Sequence, residues 1–515
     1  MQAQDFSQPD QFPHPIADVQ YRETHISIIL LTGEWVYKIK KPVNFGFLDF
    51  STLEKRRYYC EEEIRLNRRS APDLYVSVEP IYEDQGRFNF QGQGEVVDYA
   101  VKMRQFDPEA LMLNRMDELA SNGLFMRDLG YALAAFHELT EPSKQADHYG
   151  SAANVLMPVE ENFRQIESRL GVVEEATGYE AIKQWSLDQW ERLSAFFEKR
   201  KADGFVRECH GDLHLQNIAV IDGKAVMFDC IEFNDQFRWI DVASDLAFLL
   251  MDLEIHGYDE QANVILNSYL EYSGDYSLLS VLDFYRVYRA MVRAKVALLR
   301  MEQAEAEEVD ALKLDVRRHL DFALSAVKRA KPILIITCGV SGSGKSTLAS
   351  SLAARIQAVQ LRSDVIRKQM VGLKPLESSA DLEADDPDAL YSQPYTEKTF
   401  NRLQTLAQEI TDYGYPVIVD ATFISHGSRS SFQKLAASNG LPYYILYFDV
   451  PVAVLRERIL SRQRKKSDAS EAGVDVMEKQ LENFEDFDAD ERVNVYVVHS
   501  DVGIEQVVGW IERTC

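Results

Sequence analysis

Residues 333–356 read ILIITCGVSGSGKSTLASSLAARI: an apolar, β-branched run, a glycine-rich turn and a helix-compatible stretch in unbroken succession. The turn, Gly339-Val340-Ser341-Gly342-Ser343-Gly344-Lys345-Ser346, fits the pattern G-x-x-x-x-G-K-S in the strand-to-helix context that the pattern requires. Glycines at these positions let backbone amides approach phosphate oxygens, and the helix start behind them adds positive potential. Lys345 is placed to meet the β and γ phosphates of ATP and Ser346 to hold Mg²⁺. Gly339, Ser341, Gly342, Ser343, Gly344, Lys345, Ser346 and the adjoining Thr347 are therefore read as nucleotide-binding residues, with Ser346 also a metal ligand.

Downstream, the strand-like runs VIVDAT and YYILYFDV alternate with helical stretches, the pattern of a parallel α/β sheet with helices on both faces. Asp420 closes VIVD at a strand end, where a carboxylate linked to Mg²⁺ is expected; a plain strand-terminal aspartate is the alternative. Asp364 and Arg367, three apart after another strand-like run, suit an acceptor hydroxyl, Asp364 orienting or deprotonating it and Arg367 binding substrate or phosphate. A helix N-cap is the other reading of Asp364. The stretch from Leu455 to Lys466 concentrates basic residues in an acidic chain. Arg458 and Arg462, at an i,i+4 step, are candidates to neutralise charge developing in transfer, against a solvated helix face. The acidic run 377–388 (ESSADLEADDPD) argues against a long nucleic-acid track beside this site.

Upstream, Leu312, Val316, Leu320 and Leu324 recur at a four-residue step, and Pro332 opens the next apolar strand, so a domain boundary is placed at about 328–332. Before it lies a second phosphate-handling constellation, HGDLHLQN at 210–217 followed by FDC at 228–230. Asp212 and Asn217 stand five apart, the spacing with which a kinase catalytic loop brings one carboxylate to the acceptor hydroxyl and an amide oxygen to Mg²⁺. Asp229 supplies the main metal carboxylate, returned toward Asn217 by a hairpin turning at Asp222-Gly223. His210 and His214 lack a third ligand nearby and are read as positioning the loop, and Asp241 and Asp245 as bracing it or capping a helix. Strand-like pieces at 25–40, Tyr75–Tyr82 and Val96–Met103, with a charged helix from Thr52 to Arg69, predict a small β-rich lobe over 21–106. A helical lobe follows over 107–327, residues 1–20 read as a polar tail, and 331–515 form the last domain.

The composition agrees with this plan. A chain of 515 residues, 46% hydrophobic and 27% charged, suits two or three globular domains. A formal net charge of −26 opposes sequence-independent attraction to nucleic acid or anionic lipid. Cys60, Cys209, Cys230, Cys338 and Cys515 are scattered without metal-ligand spacing and read as reduced thiols. The polar, proline-punctuated N-terminus and the lack of a long apolar run predict a cytoplasmic protein with no membrane partner.

At HGDLHLQN and FDC the sequence resembles the aminoglycoside phosphotransferase and choline-kinase group, over roughly 20–325. That resemblance implies a bilobal protein-kinase-like α+β fold and phosphorylation of a small-molecule hydroxyl. It differs from protein kinases by Gly211 where they carry Arg and His214 where they carry Lys. It further implies that Lys38 binds the α and β phosphates, with Lys40 the alternate, and that Glu63 is its ion-pair partner, with Glu61 and Glu62 as competitors. Lys102–Phe106 would form the adenine hinge, and Gly33 is all that stands for a glycine-rich loop. From the glycine-rich turn onward the chain resembles the zeta-toxin and polynucleotide-kinase-like branch of P-loop kinases. The whole resembles bacterial fusions of two such domains. The expectation is a bifunctional phosphotransferase using ATP and Mg²⁺ on small hydroxyl acceptors; a nucleotide-gated regulatory protein and a polynucleotide 5′-hydroxyl kinase at the C-terminal site are the alternatives.

Overall fold

The computed structural model describes residues 1–144, 147–172, 178–302, 304–327, 332–378, 392–465, 472–499 and 502–514. The side chains at 462–465, Arg462 among them, the acidic run from 379 to 388, Lys466 and Cys515 lie outside what is described.

An antiparallel six-stranded sheet opens the chain. In spatial order its strands are Gln20–Glu23, Ser27–Leu31, Trp35–Lys40, Glu95–Arg104, Tyr75–Asp84 and Arg87–Asn89. Ile28, Leu30, Tyr37 and Ile39 alternate onto one buried face, as a period of two demands. Helix Leu53–Asn67 starts where the Thr52 hydroxyl accepts from Lys55 N at 3.3 Å, and it buries Cys60 and Ile64 against Val101 and Met103. Residues 1–20, expected as a tail from their polarity, instead fold as two short 3₁₀ turns, Ala3–Phe6 and Pro9–Gln11. Phe6 and Phe12 enter the same apolar cluster as Tyr37 and Phe90. Two aromatic rings outweigh the surrounding polar residues because each buries a large apolar area.

The helical lobe packs Gly123–Leu139, Val242–Ile255, Asp259–Ser273, Leu279–Met301 and Ala306–Ala326 around one core. Every residue from Val242 to Leu253 is buried, so the acids within that helix must be satisfied from inside the protein. In the last helix Leu312, Val316 and Leu320 face the core.

A second sheet is five-stranded and wholly parallel, in the order Val359–Arg362, Val417–Asp420, Leu334–Cys338, Tyr443–Phe448, Val495–Val498. The three inner strands are almost entirely buried, as expected where helices cover both faces. The glycine-rich turn leaves the C-terminal end of the central strand, the position where open α/β sheets bind ligands.

The two units share a core. Leu266 and Leu270 of the helical lobe belong to one buried apolar cluster with Val359, Leu361 and Ile366 of the parallel sheet and its next helix. Helix Asp259–Ser273 also runs past the edge strand of that sheet, where Asn263 Nδ2 and Asn267 Nδ2 donate to Ala358 O at 3.1 and 3.0 Å. Gln360 N donates to Asn267 Oδ1 at 2.7 Å.

Candidate active sites

In the N-terminal unit, strand Ile218–Ile221 turns at Asp222 (φ 50°) and Gly223 (φ 74°) into Lys224–Met227. The hairpin continues with Phe228 N donating to Asn217 O at 3.0 Å, which sets Asp229 beside Asn217. Asp212 is half exposed, and Asn217 Nδ2 donates to its backbone oxygen at 2.9 Å and to its Oδ2 at 3.3 Å. That orientation turns Asn217 Oδ1 away from Asp212.

The loop carrying Asp212 is pinned from below. Asp245 accepts His210 N on one carboxylate oxygen and Gly211 N on the other, both at 2.9 Å. Asp252, two turns along the same helix, accepts Leu215 N at 2.8 Å, and Arg289 Nη1 donates to Gly211 O at 3.0 Å. Asp241 caps that helix, accepting Ala243 N at 2.8 Å. Gly211 has φ 89°, and a Cβ there would meet Phe237 O at 2.7 Å, so the arginine of protein kinases has no room. His210 Nε2 donates to Phe228 O at 2.8 Å, tying the loop to the strand that delivers Asp229.

Asp229 is itself in a left-handed conformation, φ 65°, and its N–H donates to Tyr75 Oη at 3.1 Å. Its carboxylate meets Lys38 Nζ at 2.6 Å, and Lys38 also donates to Glu63 Oε1 at 2.8 Å. Lys40, fully buried, donates to Glu63 Oε2 at 2.6 Å and to Glu232. Glu61 and Glu62 are taken by Arg57 and Arg65. Burial pushes Glu63 up, but Lys38 and Lys40 outweigh it and hold the carboxyl at about 2. Partial desolvation pushes the half-exposed Asp212 up, and the His214 ring, with Arg293 and His210, brings it below the ordinary carboxylate range. Asp212 is thus ionised and able to accept a proton. Lys102–Arg104 end the strand that leads to Phe106, which packs edge-on against Phe228 at 5.3 Å.

In the C-terminal unit, helix Lys345–Ile356 begins directly after the glycine-rich turn. Lys345 is buried and curls back to donate to Val340 O at 2.8 Å. Ser346 is half-buried and Thr347 exposed. Gly342 has φ 84°, and a Cβ there would meet Ile459 Cγ1 at 2.9 Å, so the turn and helix Val452–Lys465 touch without a side chain between them. From that helix Arg458 Nη1 donates to Ser343 O at 3.2 Å, whereas Arg456 is turned to Glu478. Gln480 Oε1 accepts Ser341 N at 2.8 Å. Asp420 accepts from Thr337 Oγ1 at 3.2 Å and Gln360 Nε2 at 3.0 Å, and Gln360 accepts from Ser350 Oγ at 2.8 Å. Asp364 lies in the first turn of helix Ser363–Gln369, whose N-cap is Arg362, and Arg367 is one turn on.

The donor sets are all oxygen: carboxylate and amide at Asp229 and Asn217, hydroxyl and carboxylate at Ser346 and Asp420. Such sets fit a hard divalent cation such as Mg²⁺. Several supporting residues carried no local motif: Glu232, Tyr75, Arg289, Gln360 and Gln480. Asp252 did leave a trace, being the second of two acids seven apart in the apolar run DLAFLLMD.

A kinase-like lobe pair with the Asp212 loop braced from below, joined to a P-loop sheet, defines a kinase-type phosphotransferase dependent on ATP. Residues 60–285 match the phosphotransferase enzyme family and residues 334–487 match the AAA domain family. Uncharacterized proteins of Mycobacterium tuberculosis and Mycobacterium bovis are 29% identical over 464 residues, 89% of this chain and 89% of theirs. Among solved structures, an ethanolamine kinase of Plasmodium vivax covers 58% of this chain and 81% of its own at 11% identity, TM-score 0.35. An APS kinase of Mycobacterium tuberculosis covers 35% and 96% at 20% identity, TM-score 0.26. No helix among the described residues is long and apolar enough to cross a membrane.

Proposed function

We propose that each unit transfers the γ-phosphate of ATP to a hydroxyl of a small acceptor, with Mg²⁺ held by Asn217 and Asp229 in one and by Ser346 and Asp420 in the other. The observation that carries this reading is the convergence of Lys38, Glu63, Asp212, Asn217 and Asp229 from distant stretches of chain onto one cleft. In the N-terminal unit Asp212 accepts the proton of the acceptor hydroxyl, and Lys38, oriented by Glu63, binds phosphate oxygens. In the C-terminal unit Lys345 and the amides of the glycine-rich turn bind phosphates, Arg458 neutralises charge from the lid side with Arg462, and Asp364 and Arg367 receive the acceptor. The metal, when bound, neutralises charge on the phosphates. The test is transfer from γ-labelled ATP into a metabolite extract by wild type, Asp212→Ala and Lys345→Ala. Two products, each lost in one variant, support two kinases; a unit that keeps full transfer without its residue loses its assignment.

A second reading, in which nucleotide at one unit sets the other, is favoured by the path Asn267, Gln360, Asp420, which links the helical lobe to the P-loop site. Equal ATP affinity at one site whether the other is filled or blocked argues against it, because linkage is reciprocal.

A further inference from the structure

Helix Leu279–Met301 passes under the catalytic loop. Its Arg289 donates to Gly211 O and stacks over Phe248, so this face of the helix looks at the loop. Arg293 follows one turn later on the same face and is more than half buried. It has no hydrogen-bonded or ion-paired partner among the described residues, and its Nε is wholly removed from solvent. This stands out in a chain with 82 acidic residues against 56 basic ones. Asp212 forms no hydrogen bond or ion pair with it: that carboxylate is engaged by Asn217 and approached by His214 at 3.4 Å. Arg293 is nonetheless close enough for its charge to lower both Asp212 and His319.

His319, on the neighbouring helix Ala306–Ala326, supplies an independent sign of a missing ligand. It is 2% exposed, its Nδ1 donates to Asp315 O at 2.7 Å, and its Nε2 has no partner. Burial keeps the ring neutral against the pull of Asp315, which leaves Nε2 as an unfilled acceptor. A partly buried guanidinium with no ion-paired partner, set near Asp212, and a buried lone pair without a donor together describe the ligand that would satisfy both.

We infer that the acceptor of the N-terminal unit is an anionic polyol, a small hydroxylated molecule carrying a carboxylate or phosphate, whose anion pairs with Arg293 and whose second hydroxyl donates to His319. The planar guanidinium suits either anion, and its charge disfavours amine-bearing acceptors beside Asp212. This inference rests on the reading of Asp212 as the base.

The test uses the full chain carrying Lys345→Ala, which silences the P-loop site. A metabolite extract depleted of nucleotides is split on an anion exchanger, and the retained and unretained pools are each offered with γ-labelled ATP. Label is expected from the retained pool alone, with Arg293→Gln raising the amount of pool needed for half-maximal labelling by about 10²-fold and leaving the ATP requirement unchanged. Label arising from the unretained pool, or full labelling of the retained pool by Arg293→Gln, overturns the inference. Label from neither pool removes the phosphotransfer reading of this unit and the inference with it. The pool comparison needs no substitution at Arg293, so it stands even if that variant fails to fold.

Discussion

Lys38 and Asp229, 191 residues apart in sequence, are joined at 2.6 Å across the cleft between the small lobe and the helical lobe. Lys38 also holds Glu63 at 2.8 Å, so it keeps a counter-charge when Asp229 is released. Lys38→Met should therefore cut N-terminal transfer by at least about 10²-fold while leaving the folded structure nearly intact, since Glu63 retains Lys40. Transfer rates of the two units, measured separately in one variant, check this: the P-loop product should be unaffected.

Lys40 is the opposite case. It is buried between Glu63 and Glu232, so Lys40→Met strands the Glu232 carboxylate in the interior and leaves Glu63 with Lys38 alone. A loss of about 3–5 kcal/mol is expected, read as a fall in the denaturation midpoint. A variant that kept wild-type stability would show that Glu232 finds another partner.

Asp245 offers one oxygen to each of two backbone amides. Asp245→Asn provides one acceptor where two are needed, and should retain under about a tenth of N-terminal transfer with ATP binding preserved. Asp245→Ala should in addition cost about 3 kcal/mol. Isothermal titration with an ATP analogue separates the two effects.

Lys295 has Asn162 Oδ1 at 2.6 Å as its partner, and burial lowers it to about 8. The unfolded chain holds that proton up to about pH 10.4, so between pH 8 and 10 it binds more protons than the folded one and stability rises with pH. Lys295→Met should be more stable than wild type at pH 7 by about 3 kcal/mol, with the gap closing as pH passes from 8 to 10. Melting curves of both proteins across that window show the convergence or its absence.

Gly342→Ala places a methyl against Ile459 in a left-handed backbone position. Nucleotide affinity of the C-terminal site should drop about tenfold, with N-terminal transfer unchanged. Affinity equal to wild type would mean that helix Val452–Lys465 moves away from the turn without cost.

The sequence made plain what is local and periodic. The strand, glycine-rich turn and helix at 333–356 occupy consecutive residues, and the Asp222-Gly223 turn foretold the hairpin that carries Asp229. It concealed what depends on the approach of distant segments. Nothing near Gln480 says that its amide will meet Ser341 N, and nothing near Tyr75 says that its hydroxyl will accept from Asp229 N. The polarity of residues 1–20 pointed to a tail, because two phenylalanines among many polar neighbours do not show as a periodic signal.

The asparagine pair on helix Asp259–Ser273 has a consequence for how this chain can be divided. An open strand edge is a template for any other strand, and proteins guard such edges with charge, bulges or cover. Here the guard of Val359–Arg362 is borrowed: Asn263 and Asn267 belong to the other unit. Without that helix, Ala358 O and Gln360 N would stand open on the strand edge, a border on which another strand could pair. The helical lobe thus shields the parallel sheet as well as adjoining it in sequence, which gives the joined chain a reason to persist that is independent of catalysis.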